Sequence, residues 1–282
     1  PAIDIYKEHD IDLYSEPLEI AVCAQHNNGG FAVDKWWQSN LRHTFVVGEM
    51  AGTHGVKRPG GSALNAGQVG AQRAAEYIVN VYEPDNPDRD FTATDKQVEA
   101  LIEKLKQPSG PDAPDPRHSI DQLRKRMTAS AGHVRRLSGA EKALEEAVEL
   151  FEKASNKGFR IAGVDDIIPA VQAGHLCLAS AGYLTALVEL LKQGGGSRCS
   201  YLVIDENGKQ IHPDVKDIVT GNTLKYKPQN AELAKSIIRL QYDPAEPGLF
   251  TRASVPVRSA PKERQAFEPA WTDYRKGAIY DH

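Results

Sequence analysis

Gln25–Tyr77 reads QHNNGGFAVDKWWQSNLRHTFVVGEMAGTHGVKRPGGSALNAGQVGAQRAAEY. His26 stands before Asn27-Asn28-Gly29-Gly30, and an apolar run, Thr44-Phe45-Val46-Val47, ends in Gly48-Glu49. Short apolar runs bounded by turn residues predict strands, here and at Leu18–Ala24. A carboxylate at the C-terminal end of a strand, after a glycine that lets a ligand approach, can accept hydrogen bonds from hydroxyl groups. An exposed glutamate in an ordinary turn would read the same way. Pro59-Gly60-Gly61-Ser62-Ala63-Leu64 then opens a helix predicted from Ser62 to about Val81. Ser62 is a plausible N-cap, and Ala63, Ala66, Gly67, Gly70, Ala71, Ala74 and Ala75 give that helix a small-residue face for close packing. Its first amides are unpaired and partly positive, which suits an anion or an electron-rich carbonyl. A tight turn before a helix would show the same glycines.

Between these parts, Lys57 and Arg58 precede the glycine loop. Arginine offers a planar fork for a carboxylate, although a solvated basic turn is its commoner role. His26 could bind a carboxylate or move a proton. His54 lies near Arg58 and is held in reserve, whereas His43, His133, His175 and His212 read as structural. Trp36-Trp37 could stack on a ring and more often anchor packing. No Walker loop, GxSxG, HExxH or metal-ligand spacing is present in the sequence.

Outward from this stretch, Glu83-Pro84-Asp85-Asn86-Pro87-Asp88 stops the helix, and another is predicted from Asp95 to Lys106. A Pro-rich linker spans 107–116, and helical spacing then predicts segments at about 119–136, 139–156 and 169–192. The last opens at Pro169 and is apolar on most sides, as expected of the buried member of a bundle. Ser200–Ile204 and Lys209–Ile211 flank Asn207-Gly208, a hairpin signature. A short helix is expected near 230–239, and the last 40 or so residues read as an extended tail.

The 282 residues allow one large or two ordinary domains, and a formal charge of −4 gives no basic field for nucleic acid. No apolar run approaches the roughly 20 residues of a membrane span. Cys23, Cys177 and Cys199 are far apart and suit buried thiols in a reducing, cytoplasmic setting better than a disulfide framework.

Taken in order, His26-x-x-Gly29-Gly30, Phe45-Val46-Val47-Gly48-Glu49-Met50-Ala51-Gly52 and His54-Gly55-Val56-Lys57-Arg58-Pro59-Gly60-Gly61-Ser62-Ala63-Leu64 resemble the flavoprotein family of succinate dehydrogenase, fumarate reductase and L-aspartate oxidase. The family pattern runs HxxGG, GLFAxGE, HGANRLGGNSL and then a helix. The resemblance implies FAD, with Gly48 and Glu49 at the ribityl hydroxyls and Gly60, Gly61, Ser62, Ala63 and Leu64 at the isoalloxazine ring. It implies that His26 and Arg58 bind a substrate carboxylate, with His54 and Lys57 as weaker candidates. The implied chemistry is hydride transfer between flavin N5 and a carbon of a fumarate- or succinate-like acid. Lys57, Pro59 and Ser62-Ala63 depart from the family's Asn, Leu and Asn-Ser. An extra cation beside the clamp would favour a second acidic group on the substrate.

The family's strand–GxGxxG–helix for the FAD pyrophosphate has no counterpart here, because neither Gly52-x-x-Gly55 nor Gly67-x-x-Gly70 follows a strand and opens a helix. The expected fold is therefore α+β or α/β: the C-terminal part of a Rossmann-like FAD-binding domain, a three-helix domain, and an irregular extension with a hairpin. The resemblance divides the chain into 1–24 (end of a capping region), 25–90 (FAD-binding part), 91–118 (helix and linker), 119–199 (helical bundle) and 200–282 (hairpin and tail). The expected partner is the N-terminal FAD-binding and capping half, or a separate upstream polypeptide. An electron-transfer subunit is a further candidate. Two other readings stay open: a non-catalytic structural or assembly piece of such a complex, and an unrelated anion- or nucleotide-binding protein using the helix at Ser62.

Overall fold

The computed structural model describes residues 2–19, 28–55, 61–83, 91–106, 110, 112–198, 200–218, 220–258 and 267–280. The chain divides into two units, Pro1–Glu76 and Tyr77–His282. The first holds a short helix α1 (Ala2–Lys7), a single 3-10 turn at Gly48–Met50, and most of α2 (Ser62–Asn80). The strand expected at Leu18–Ala24 falls almost wholly outside the described residues. Thr44–Val47 is not a strand: Phe45 makes one isolated antiparallel bridge, to Gln38. The chain turns back on itself here. The Ser39 N–H donates to Thr44 O (2.9 Å), Thr44 N–H to Leu41 O (3.2 Å) and Val46 N–H to Trp37 O (2.9 Å). A closed loop thus satisfies the backbone groups that a ladder would have taken.

In the second unit, α3 (Thr92–Lys106) is followed by α4 (Pro116–Ala131), β1 (Val134–Arg135), α5 (Leu137–Lys157) and α6 (Ile167–Lys192). β2 (Leu202–Gln210), β3 (Lys225–Tyr226), β4 (Ser236–Tyr242), β5 (Phe250–Pro256) and α7 (Phe267–Arg275) complete it. α4 begins earlier than helical periodicity suggested, because Asp115 caps it. The Asp115 carboxylate accepts the His118 N–H (2.8 Å), and Pro116, with no N–H to satisfy, fills the first turn. α4 also ends sooner, and Val134–Arg135 pair in parallel with Leu202–Val203.

α6 is the hub. Ala170, Ala173, Cys177, Ser180, Ala181, Leu184, Thr185, Leu187, Val188 and Leu191 are all buried along it. Small residues meet where α5 crosses: Ala143 and Ala147 of α5 share a core cluster with Ala181 and Leu184, so the two helices can approach closely. α4 closes a second cluster through Leu123 against Ala173, Cys177 and Phe159. Buried hydroxyls are satisfied within the helix, Ser180 donating to Cys177 O (2.9 Å) and Thr185 to Ala181 O (2.8 Å). The helical stretch Val164–Lys192 is long and apolar enough to cross a membrane by length and composition, although residues such as Gln172 and His175 break its apolar run. In this fold α4, α5 and the Leu249–Phe250 corner cover much of that surface.

The C-terminal part departs most from expectation. Leu202–Gln210 is one strand rather than a hairpin: Ile204 and Lys209 both register on Tyr226, so the residues between them form a bulge. Asp205 Oδ1 accepts the Asn207 N–H (2.9 Å), so the Asn-Gly signal marks the bulge instead of a reversal. The helix expected at 230–239 is a 3-10 turn, Glu232–Lys235, leading into β4. β4 and β5 form a hairpin paired from Ser236↔Pro256 to Tyr242↔Phe250, where an extended tail was expected. Its corner packs on the bundle: Tyr242 meets Phe151 and Phe250 edge-on, at 6.3 and 5.9 Å between ring centroids.

Two outcomes follow for this unit. Asp115→Ala should cost about 1 kcal/mol in chemical denaturation, the usual loss of an N-cap. The backbone bond from His118 and the Arg160 guanidinium hold the Asp115 carboxyl below its ordinary value. Its contribution is therefore fully present above the unfolded carboxylate range and fades as pH falls through the lowered folded pKa, so the wild-type and Asp115→Ala curves should converge in acid. Burial pushes the Cys177 thiol up to about 11. At neutral pH it should resist thiol reagents in the folded protein and react only in denaturant, as mass spectrometry would read.

Candidate functional site

Four of the residues singled out by sequence, His26, Lys57, Arg58 and Gly60, lie outside the described residues. The others fall on two neighbouring pieces of the first unit. One is the Gly48–Met50 turn with its continuation to His54, and the other is the start of α2.

The first piece is held by glycine. Phe31 and Ala51 form a parallel bridge, with Phe31 N–H donating to Met50 O (2.8 Å) and Gly52 N–H to Phe31 O (2.9 Å). A Cβ on Gly30 would sit 2.3 Å from Met50 O and 2.9 Å from Gly52 N, and one on Gly52 would sit 3.1 Å from Gly30 O. The Gly29-Gly30 segment and the Gly48–Gly52 turn therefore touch backbone to backbone. Gly48 itself has φ +68°, with open space where a side chain would stand, so the backbone at the start of the turn is accessible. Glu49 follows it and is exposed.

The second piece approaches the first across another glycine. A Cβ on Gly67 would be 3.4 Å from Gly48 Cα, which puts the second turn of α2 against the Glu49 turn. Gly61 has φ +79° and open space, Ser62 and Ala63 are half-buried, and Leu64 is 79% exposed. The first turn of α2 is thus presented outward, with the amides that no helical carbonyl can take. His54 is buried, and with Thr53, Trp37, Ser62, Asn65, Ala66 and Val69 it lines a cavity of about 360 Å³.

An exposed carboxylate, a bare glycine backbone and a helix N-terminus on one surface can take a ligand with hydroxyls at one end and an electron-rich planar system at the other. Gly48 and Gly61 both have open space where a side chain would stand. Among the described residues no group of His, Cys, Asp and Glu could hold a metal ion.

What sequence reading undervalued is the support of α2. Trp36 is 4% exposed, the Arg73 guanidinium lies 4.7 Å over its ring, and the indole of Trp37 rests on Gly70. The doubled tryptophan, with Arg73 and Gly70 spaced on one helix, was the signal that could have found it.

No family model matches the chain. Over 148 residues it is 31% identical to a subunit of the CoM/CoB fumarate reductase of Methanothermobacter marburgensis, covering 51% of this chain and 26% of that protein. Over 59 residues it is 41% identical to the L-aspartate oxidase of Halalkalibacterium halodurans, covering 20% of this chain and 12% of that one. The matches thus span about a quarter or less of the relatives' length. Among solved structures it superposes on a chain of the Mycobacterium smegmatis Sdh1 complex with a TM-score of 0.64 at 19% identity, over 93% of this chain and 41% of the other. On the E. coli quinol fumarate reductase chain FrdA the TM-score is 0.63 at 16% identity, over 93% and 42% of the two chains. The resemblance read from the glycine motifs is therefore carried by sequence relatives as well as by the mixed α/β fold.

The glycine contacts predict a sharp asymmetry between adjacent positions. Gly30→Ala should destabilise the protein by roughly 1–3 kcal/mol, because its Cβ meets backbone that cannot give way. Gly29→Ala, with nothing within 4 Å of its Cβ, should leave the denaturation midpoint nearly unchanged.

Proposed function

We propose that this chain forms the ribityl, ring and substrate side of an FAD site in an oxidoreductase of the fumarate reductase and succinate dehydrogenase kind. The observation that supports this reading is the approach of Gly67, in the second turn of α2, to Gly48, which precedes the exposed Glu49. FAD is the cofactor of that family, and when bound it would supply hydride transfer to or from a carbon of a carboxylate-bearing substrate. The substrate class is a fumarate- or succinate-like acid or a related enoate.

In this reading the Glu49 carboxylate accepts hydrogen bonds from the ribityl hydroxyls. The bare backbone at Gly48, Gly60 and Gly61 admits the group, and Ser62 ends the loop. The N–H groups of Ala63 and Leu64, at the positive end of α2, stabilise electron density on the ring. His26 and Arg58 hold the substrate carboxylate, the arginine through two parallel bonds, and so fix the alkene over the ring and polarise it. Lys57 and His54 are secondary contributors to the charge and shape of that pocket. The pyrophosphate is left to an N-terminal FAD-binding and capping half, in the same polypeptide or another, and the redox partner is an electron-transfer subunit. Residues 25–90 would then belong to the FAD-binding part and 119–199 to the helical domain.

The test uses the protein together with its upstream half. The assembled protein should absorb in the visible flavin bands, and Glu49→Ala should lose flavin on dilution where wild type keeps it. Arg58→Ala should lower kcat/KM for fumarate about 100-fold, and Arg58→Lys should not restore it, since an ammonium lacks the fork. Unchanged turnover in Arg58→Ala, with flavin retained in Glu49→Ala, would sink the reading.

A further inference from the structure

Resting on that flavin reading, we propose that Trp37 is the positioning residue that fixes where the N-terminal turns of α2 stand against the Gly48–Glu49 turn. The backbone of Trp37 is held from both sides. Asp34 closes a tight turn around it: its Oδ1 accepts the N–H of Trp36 (2.8 Å) and of Gln38 (2.9 Å). The Asp34 N–H donates to Gln38 O (3.0 Å) and the Trp37 N–H to Asp34 O (3.2 Å), while Trp37 O takes the Val46 N–H (2.9 Å). Within this frame Trp37 adopts φ +62°, a left-handed conformation that is an outlier for a bulky side chain. Such a conformation persists only where the surroundings over-determine it, and it clusters where placement matters.

The indole is the point of the strain. It lies close enough to α2 that a Cβ on Gly70 would be 2.5 Å from its Nε1 and 2.6 Å from its Cε2. Its Nε1–H is buried with no hydrogen-bond partner among the described residues. A buried indole normally finds an acceptor, so contact with the helix is kept here at the expense of an unmade bond. One turn along, the Arg73 guanidinium lies over the Trp36 ring at 4.7 Å and the Trp37 ring at 5.9 Å, which adds a cation–π contact that strengthens the packing of the pair on α2. Trp37 also lines the cavity that Ser62, Asn65 and Ala66 line from the first turns of α2. One side chain thus bears on Gly70 and borders the space next to the flavin-facing amides.

The amide-to-ring distance governs how strongly developing negative charge is stabilised. Trp37 acts on that distance through the helix, without touching the ring. A tenfold weaker hold on reduced than on oxidised flavin corresponds to a two-electron potential about 30 mV more negative.

The experiment compares Trp37→Ala, Trp37→Phe, Gly70→Ala and Arg73→Gln in the flavin-loaded protein. It reads the flavin potential by dye equilibration, the visible spectrum, and hydrogen exchange of the first turns of α2. Trp37→Ala and Gly70→Ala should each shift the potential negative by roughly that amount, perturb the spectrum and speed exchange at α2. Trp37→Phe keeps a ring on Gly70 and removes the unpartnered donor, so it should return all readouts close to wild type. Arg73→Gln should lower thermal stability and leave the potential in place. If Trp37→Ala yields no folded protein, Gly70→Ala, which keeps every tryptophan, decides in its stead. Wild-type potential and exchange in Gly70→Ala, or a Trp37→Phe shift as large as that of Trp37→Ala, would overturn the assignment while leaving the flavin reading intact. A wild-type protein that holds no flavin would bring down both.

Discussion

Backbone pressed directly on backbone is the constraint from which the rest of the first unit follows. Gly30 and Gly52 meet with no room for a methyl group between them, and α2 comes near enough at Gly67 that a Cβ there would just touch Gly48. These contacts bury little apolar area, so they contribute little to stability by burial. Their effect is geometric: a glycine pair, an acidic turn and the early part of α2, separated in sequence, come into contact. The apolar support sits a layer away, in the tryptophan pair and Arg73. A site built this way is specified by what is missing from its side chains, and the larger groups around it serve to hold that gap.

The second unit obeys a different rule. There the organising element is α6, whose alanines admit α5 and whose Leu184, Leu187, Val188 and Leu191 fill the remaining volume. Its solvent-facing polar groups are few, and the helix is stable because neighbours cover it. Replacing Leu184 with a smaller residue would remove volume from a cluster that also includes Leu249 and Phe250, coupling the bundle to the β4–β5 hairpin.

How much of this was legible in the sequence depended on how local the determining physics is. α4, α5 and α6 were visible because helical spacing and caps act within a few residues, and α2 was visible from Ser62 and its run of small residues. β4 was misread because Ile237-Ile238 follows residues of good helix propensity. The strand exists only through its pairing with β5, a partner beyond any local window. Asn207-Gly208 is a sound reversal signal that the Ile204–Lys209 bulge used for another purpose. Thr44–Val47 has strand composition, yet Trp37 and Ser39 take its backbone groups first. At the candidate site, the order of glycines and acid in the sequence pointed to the Gly30, Gly48–Glu49 and Ser62 segments. It did not show that Trp37 would press on Gly70, since that contact depends on a left-handed backbone that no spacing rule encodes.

The parallel pairing of Val134 with Leu202 has a bearing on how the second unit assembles. Those strands can meet only after α5 and α6 have brought their far ends together, so the entropy of closing that long loop is met by the helix pair and not by the strands themselves. α5 and α6 are adjacent in the chain and in space, and contacts of that local kind form early. The short sheet is therefore a late clasp on a helical hairpin. Cutting the chain between α5 and α6 would cost the clasp its closure, whereas trimming β1 or β2 would leave the helix pair able to form.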